Sequence, residues 1–238
     1  FGWFTDLFDT NGVNHFDHLR NYLKHHDFKP FNAEQRAKSW LDTYVRVNKY
    51  LQYFDEYIPT TYLQYYFFPD EIVAESDPSY TRVDEDTRER EVFETCALAE
   101  GKETMDGIPM LTNQVFGKLM VEVAESIAYD LHNEFIVLVP NNGLIPNFEP
   151  DAIVEVAGTI GKNGAQGYYF GDIGTFYKGL MENQYAYEKL TVEAFMEKSY
   201  VKALEALTLN RTVIDPQKAK AILDDFQSVS KSYWILNR

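Results

Sequence analysis

The chain has 238 residues, 45% of them hydrophobic and 16% aromatic, which is enough for a substantial core. Its 37 acidic residues outnumber 22 basic ones, and the resulting net charge of −15 disfavours nucleic acid and anionic membrane as partners. The single cysteine, Cys96, cannot form an internal disulfide, which fits a reducing compartment, so we expect a cytoplasmic protein.

In the first third of the chain, the pattern predicts a short strand and two helices. The strand covers residues 1–8 and is closed by a turn at 9–12, and the helices cover 14–25 and 32–57. The second helix carries one apolar side, made of Trp40, Tyr44, Val47 and Leu51.

Further along, charged and glycine-containing stretches predict a solvated loop entering a helix at 76–91 and a loop at 100–113. An amphipathic helix at 114–131 follows, with a stripe of Val115, Leu119, Val123 and Ile127. Strands are predicted at 135–139 and 152–156, a turn and hairpin at 158–167, and helices at 175–209 and 215–228. The fold class is therefore α+β, helix-rich, with a small mixed or antiparallel sheet.

Candidate metal and nucleotide sites give weak signals. His15 and His18, or His25 and His26, have spacings that could hold zinc, but no cysteine or carboxylate completes a set, and a surface helix explains them equally well. The glycines of 158–167 match neither the dinucleotide fingerprint nor the P-loop. For Cys96, a small buried thiol is the default interpretation.

The run TTYLQYYFFPDE at 60–71 places three tyrosines close together. Tyrosines usually pack their rings and find one partner for the hydroxyl, so packing is the default here. Composition and spacing alone lead no further than an acidic α+β domain.

Four stretches change this interpretation, because in the same order they resemble glycoside hydrolase family 4, and within it the 6-phospho-α-glucosidases. They are FGWFTDLFD from residue 1, PTTYLQYYFFPDEIV from 59, NNGLIPNFEPDAIVEVAG from 141 and KGLMENQYAYEKLTVEAFMEKS from 178. The resemblance implies a fold like the C-terminal domain of lactate and malate dehydrogenases. Residues 1–238 would be a C-terminal catalytic and oligomerisation domain. Because the chain opens in an aromatic stretch without a methionine, we expect a piece of a longer polypeptide whose N-terminal Rossmann domain is not in this sequence.

The resemblance also implies cofactors and site residues. The full-length enzyme would use NAD and Mn²⁺, with the NAD fold and both metal ligands outside this chain and neither group expected on this piece alone. The family's Asn-His motif directly precedes a Phe-Gly-Trp sequence. Here Asn14-His15 follows Phe1-Gly2-Trp3 instead, so His15 receives no metal role. Tyr62 matches the catalytic base, and Arg82 matches an arginine that binds the substrate near the sugar and its phosphate. The implied partners are a phosphorylated disaccharide and further copies of the chain in a homo-oligomer.

The mechanism implied by the resemblance explains why a tyrosine suits this position. NAD-dependent members of the family are exceptions to two-carboxylate hydrolysis. The sugar is oxidised at C3, a base removes the C2 proton, the glycosidic oxygen leaves by elimination, and water addition and reduction complete the reaction. A phenolate is a stronger base than an ordinary carboxylate, which suits it to removing a proton beside a carbonyl.

Two alternatives stay open. The chain could be a stand-alone sugar-binding or assembly module that shares ancestry with the enzyme, which the gene sequence upstream of Phe1 would decide. It could also belong to a 6-phospho-β-glucosidase or an α-galactosidase of the same family, which assays on matched phosphoglycosides would distinguish.

Overall fold

The computed structural model describes residues 2–26, 38–76, 114–230 and 233–237. The chain divides into two compact units. The first, called here the helical unit, combines Phe1–Ala74 with Asp172–Arg238. The second, called the sheet unit, is Glu75–Gly171. Each unit is described by itself.

In its described residues, the helical unit contains two very short strands and a series of helices. In chain order they are β1 (Trp3–Phe4), α1 (Phe16–His25), α2 (Lys38–Leu51), β2 (Ile58–Pro59), a 3-10 helix (Thr61–Leu63), α3 (Gln64–Phe67) and α4 (Pro69–Glu75), then α6 (Thr175–Glu197), α7 (Tyr200–Leu209) and α8 (Pro216–Val229). β1 and β2 pair antiparallel, with Trp3 opposite Pro59 and Phe4 opposite Ile58.

Two apolar clusters form the core of this unit in the residues that the structure describes. The first is built from Phe16, Leu23, Tyr50, Leu51 and Ile58, and the second from Ala194, Tyr200, Ala203, Leu223 and Leu236. Helices α1 and α2 and strand β2 supply the first cluster, whereas the second is supplied mainly by α6, α7 and α8. Burial of these side chains is the main favourable contribution to folding of the unit.

Aromatic rings connect the N-terminal segment to α6. The Trp3 indole packs edge-on against Tyr177 with ring centroids 5.0 Å apart, and its Nε1 donates a 3.0 Å hydrogen bond to the Tyr50 hydroxyl. Tyr57 packs against Tyr177 at 4.8 Å. Such pairs add specific geometry to the area that they bury.

Helix ends in this unit follow local signals of different strength. Asp215 caps α8 by accepting from the backbone N–H of Gln217 at 2.7 Å, and Pro216 occupies the first turn, where proline is favoured. The helix predicted over 175–209 is broken in two, because Lys198 adopts a left-handed conformation with φ 54° and Ser199 caps α7.

In residues 114–171, which the structure describes, the sheet unit contains one helix and a three-stranded antiparallel sheet. Its elements are α5 (Gln114–Ala128), β3 (Asn133–Pro140), β4 (Ile153–Gly161) and β5 (Gly164–Gly167), and the strand order is β3-β4-β5. β4 and β5 form a tight hairpin around Lys162 and Asn163, which confirms the predicted turn. Gly158 allows the close approach of β5, because a Cβ there would lie 2.3 Å from the Gln166 carbonyl oxygen.

The buried amide of Asn141 organises the connection between β3 and β4. Its Nδ2 donates to the carbonyl oxygens of Ile145, Phe148 and Glu149 at 3.0–3.2 Å, and its Oδ1 accepts from the Ile145 backbone N–H at 2.7 Å. One side chain thereby satisfies several backbone groups that a folded-back loop would otherwise bury unpaired.

The predicted strands at 135–139 and 152–156 are confirmed, as are the helices at 14–25 and 215–228. The first strand was predicted too long, since the strand covers Trp3–Phe4 and Phe8 makes an isolated bridge with Asn14. The long helix ends at Leu51 and does not reach Tyr57, and its predicted start at Asn32 lies outside the described residues. The predicted elements at 77–113 also lie outside them. In α5, Leu119 and Ile127 of the predicted stripe are exposed.

The predicted fold class is confirmed as helix-rich α+β with small antiparallel sheets. Of the helices in the described ranges, none combines the length and the apolar character needed to cross a membrane.

The aromatic cluster predicts a loss of stability in alkali. Burial, followed by the negative charges that Tyr50 and Glu56 can carry, raises the pKa of Tyr177 above its ordinary value of 10.0. The neutral phenol is therefore favoured in the folded state. Its contribution to the free energy of unfolding is complete below pH 10. It is lost as the pH rises further, because the unfolded chain releases the proton at a lower pH than the folded one. Tyr177→Phe should flatten the fall of unfolding free energy above pH 10 by up to about 1.4 kcal/mol per pH unit.

Chemical denaturation between about pH 8 and about pH 11 measures this slope, since that range brackets an ordinary tyrosine pKa. Tyr233→Phe is the control for loss of a surface phenol, because Tyr233 is 92% exposed. A Tyr177→Phe variant whose slope matches that of the parent throughout would contradict the prediction.

Candidate active site

Tyr62 lies in the middle of the 3-10 helix that directly follows β2. The extended backbone of Thr60 (φ −64°, ψ 152°) ends the strand, and its N–H donates to the Gly2 carbonyl oxygen at 3.0 Å. The Leu63 N–H then donates back to the Thr60 carbonyl oxygen at 3.1 Å, which closes the turn. The turn is thus tied at its start to the N-terminal segment of the chain.

The side chains of this turn alternate sharply in exposure. Leu63 is 2% exposed, whereas Tyr62 is 69% exposed. Because a 3-10 helix advances about 120° per residue, burying Leu63 directs its neighbour away from the core. The phenol predicted to be the base therefore faces outward from the helical unit.

The other aromatic residues of the run pack more closely. Phe67 and Phe68 contact the first core cluster, and Phe67 lies 4.9 Å from the Tyr50 ring. Burial, and then the neighbouring Tyr187 and Glu188, raise the pKa of Tyr66. Tyr65 is partly exposed. Phe67 and Phe68 therefore have a packing role in the helical unit.

Polar side chains beneath the turn connect it to α2. The Gln64 amide Nε2 donates to the Thr43 hydroxyl at 3.0 Å, and its Oε1 accepts from Arg46 Nη1 at 3.1 Å. Thr43 and Arg46 are 6% and 7% exposed. Sequence reasoning did not single out these three residues, although Thr43 and Arg46 lie three apart on the buried side of a helix, which is an unusual place for a hydroxyl and a guanidinium.

A small pocket of about 10 Å³ lies beside this network, lined by residues of α2, of α3 and of the segment from β2 to α3, which include Arg46, Thr60 and Phe67. Ligand sites for drug-sized molecules occupy roughly 300–1,000 Å³. The pocket is too small for a phosphorylated disaccharide, and Tyr62 does not line it. A sugar that reaches Tyr62 must therefore approach from the exposed side of the turn.

Arg82 and Cys96 lie outside the described residues, so the substrate-binding role of Arg82 and the burial of the Cys96 thiol stay predictions. His15 lies within the described part, where its Nε2 is 3.1 Å from Asp9 Oδ2. The Val13 backbone N–H, followed by His15, holds the pKa of Asp9 below its ordinary range. Searching the described ranges finds no group of three or more His, Cys, Asp or Glu side chains that could hold a metal.

Comparisons with known proteins connect this geometry to a family. The profile of the family 4 glycosyl hydrolase C-terminal domain matches residues 1–213. The chain is 40% identical over 244 residues to the phospho-α-glucosidase PagL of Clostridium acetobutylicum, and 37% identical over 238 residues to the maltose-6'-phosphate glucosidase MalH of the same organism. Each match covers 98% of this chain and 54% of the relative, so the chain spans about half the length of these curated relatives.

A solved structure agrees with this assignment. A 6-phospho-α-glucosidase from gut microorganisms, crystallised with NAD and Mn²⁺, superimposes with a TM-score of 0.89 at 41% identity, covering 99% of this chain and 55% of that one. The C-terminal domain of such enzymes has the fold of the lactate and malate dehydrogenase C-terminal domain, as the resemblance implied. The chain therefore belongs to the family 4 glycosyl hydrolases and is matched over residues 1–213 by their C-terminal domain.

Proposed function

We propose that this chain is the C-terminal catalytic part of a 6-phospho-α-glucosidase that hydrolyses phosphorylated disaccharides of the maltose 6'-phosphate type. The similarity to PagL, a phospho-α-glucosidase, and to MalH, a maltose-6'-phosphate glucosidase, supports this substrate class. The end-to-end match of this chain to half of each relative supports the idea that the complete active site needs a second half. The enzyme would act in the cytoplasm as a homo-oligomer.

The observation that carries the proposal is the outward position of Tyr62 on an anchored turn. A general base must be able to reach the proton that it removes. A phenol buried under aliphatic side chains could not do so, whereas this one is available from the side of the turn opposite the core. Tyr62 is the base in this proposal, and Arg82 binds the sugar near its phosphate, since guanidinium groups suit bidentate phosphate recognition.

The proton transfer is the step assigned to this chain. NAD, when bound in the full-length enzyme, supplies reversible oxidation of the sugar at C3. Tyr62 takes the proton from C2 next to the resulting carbonyl, the electrons of the C–H bond form a C1–C2 double bond, and the glycosidic oxygen leaves C1. The proposal assigns the residues that bind NAD and Mn²⁺ to the other half of the enzyme and none to this chain.

Replacing the base should stop proton exchange without affecting cofactor binding. In the full-length enzyme, Tyr62→Phe should lower the rate at which the substrate C2 proton exchanges with deuterated solvent by about 100-fold or more, the range expected for a general base. NAD affinity should stay at the parental value. Proton NMR of the sugar measures the exchange, and Tyr65→Phe, in the same run, is the matched control. Exchange at the parental rate in Tyr62→Phe would remove Tyr62 from this role.

The proposal also predicts what the 238-residue chain does alone. Because it assigns the NAD fold to the other half of the enzyme, titration of NAD into residues 1–238 should release no binding heat in a calorimeter. The full-length enzyme is the positive control. Saturable NAD binding by the isolated chain would contradict the assignment of the NAD fold to the other half of the enzyme.

A further inference from the structure

The Thr43–Arg46–Gln64 network lies directly beneath the turn that carries Tyr62. In the described residues, one hydrogen bond runs from the Arg46 guanidinium to the Gln64 amide oxygen and another from the Gln64 amide nitrogen to the Thr43 hydroxyl. Arginine can only donate, so the amide oxygen must face Arg46 and the amide nitrogen must face Thr43. The amide therefore has one preferred orientation.

This network lies among apolar side chains. Val47, Leu63, Phe67 and Phe68 line the same small pocket as Arg46 and Gln64. Burying a guanidinium and an amide costs free energy that an apolar pair of similar volume would avoid. A polar contact costs more free energy at this position than an apolar one. We therefore interpret the hydrogen bonds as a means of fixing the direction of the Gln64 side chain.

Gln64 connects α2 to the turn that carries Tyr62, because its side chain bonds to α2 and its backbone bonds to the turn. It caps the 3-10 helix, and its own N–H donates to the carbonyl oxygens of Thr61 and Tyr62. Holding the Gln64 side chain on α2 therefore fixes the peptide groups around Tyr62 from the C-terminal side. On the N-terminal side, the Thr60 N–H is held by the Gly2 carbonyl oxygen.

The exposure of Tyr62 makes this anchoring matter. With 69% of its surface open, the phenol is placed mainly by the backbone of its turn and little by packing of its ring. Misplacing a reacting group by about 1 Å can cost about 100-fold in rate. A base on an exposed side chain therefore needs a rigid turn.

We propose that Thr43, Arg46 and Gln64 are positioning residues that hold the Thr61–Leu63 turn, and with it the Tyr62 phenol, at a fixed distance from the substrate C2. This inference rests on the proposed function of Tyr62. It differs from a purely structural role because it predicts a loss confined to the proton-transfer step and to the turn itself.

Thr43→Val tests the network with little change of shape. The valine keeps the branched side chain but removes the hydroxyl that accepts from Gln64. Thr43→Ser keeps that hydroxyl. Thr208→Val on α7 is the matched control, since it removes a hydroxyl that donates to the Leu204 carbonyl oxygen far along the chain from the turn.

In the full-length enzyme, Thr43→Val should slow C2 proton exchange at saturating substrate by about tenfold, with KM within about twofold of the parent. Thr43→Ser and Thr208→Val should stay within about twofold of the parental exchange rate. If Tyr62→Phe has lost C2 proton exchange while Thr43→Val and Thr208→Val exchange at equal rates, the positioning role is overturned. Tyr62 then remains the proposed base. Exchange that persists in Tyr62→Phe would instead overturn the proposed base, and the positioning inference with it.

Amide hydrogen exchange on the 238-residue chain gives a second measurement that needs no activity. Thr43→Val should accelerate exchange at the amides of residues 62–64 by about tenfold, consistent with a locally opened turn, while the amides of α8 exchange at the parental rate. Thr208→Val should leave residues 62–64 unchanged. Acceleration spread evenly over α8 and the turn, or none at the turn, would contradict the proposal.

Discussion

The burial of Leu63 determines how the candidate site is built. This side chain lies in the helical unit with 2% of its surface exposed, and it is the last residue of a single 3-10 turn. Because the turn is so short, seating one residue in the core decides where its neighbours point. Tyr62 then faces outward and Gln64 reaches inward to α2, so a hydrophobic contact orients both a proposed base and the polar network beneath it.

The surroundings of the turn make its position well defined from two directions. The short β1–β2 pairing and the Gly2–Thr60 hydrogen bond hold its start, while the first core cluster holds Phe67 and Phe68 just after it. Trp3 extends this arrangement by contacting both Tyr50 and Tyr177. A single N-terminal segment therefore supports the turn and joins α2 to α6. We interpret this as a rigid platform for an exposed phenol.

Local signals predicted the fold best where chemistry restricts the backbone. The glycines around Lys162 and the Asp215-Pro216 pair gave the hairpin and the start of α8 correctly, since few conformations suit those residues. The break at Lys198 escaped prediction because a left-handed lysine carries no sequence signal. The end of α2 at Leu51 also escaped, because the residues up to Tyr57 continue an apolar pattern that the structure uses for packing outside a helix.

The candidate site was less accessible to sequence reasoning than the fold. Nothing in the spacing of the tyrosines separates Tyr62 from Tyr65 or Tyr66, and only the family resemblance selected it. Its exposure is a consequence of tertiary packing, through Leu63. The sequence did not single out Arg46 and Thr43, because their burial also depends on tertiary packing. It is determined by the segment that folds over α2 and not by the apolar pattern of that helix.

The most direct measurement is a crystal structure of the full-length enzyme with NAD and a phosphorylated disaccharide analogue that cannot be cleaved. The account predicts that the Tyr62 hydroxyl oxygen lies within about 3.5 Å of the sugar C2, the separation expected for a reactive arrangement. A structure in which Tyr62 points away from the sugar while another side chain approaches C2 would contradict it.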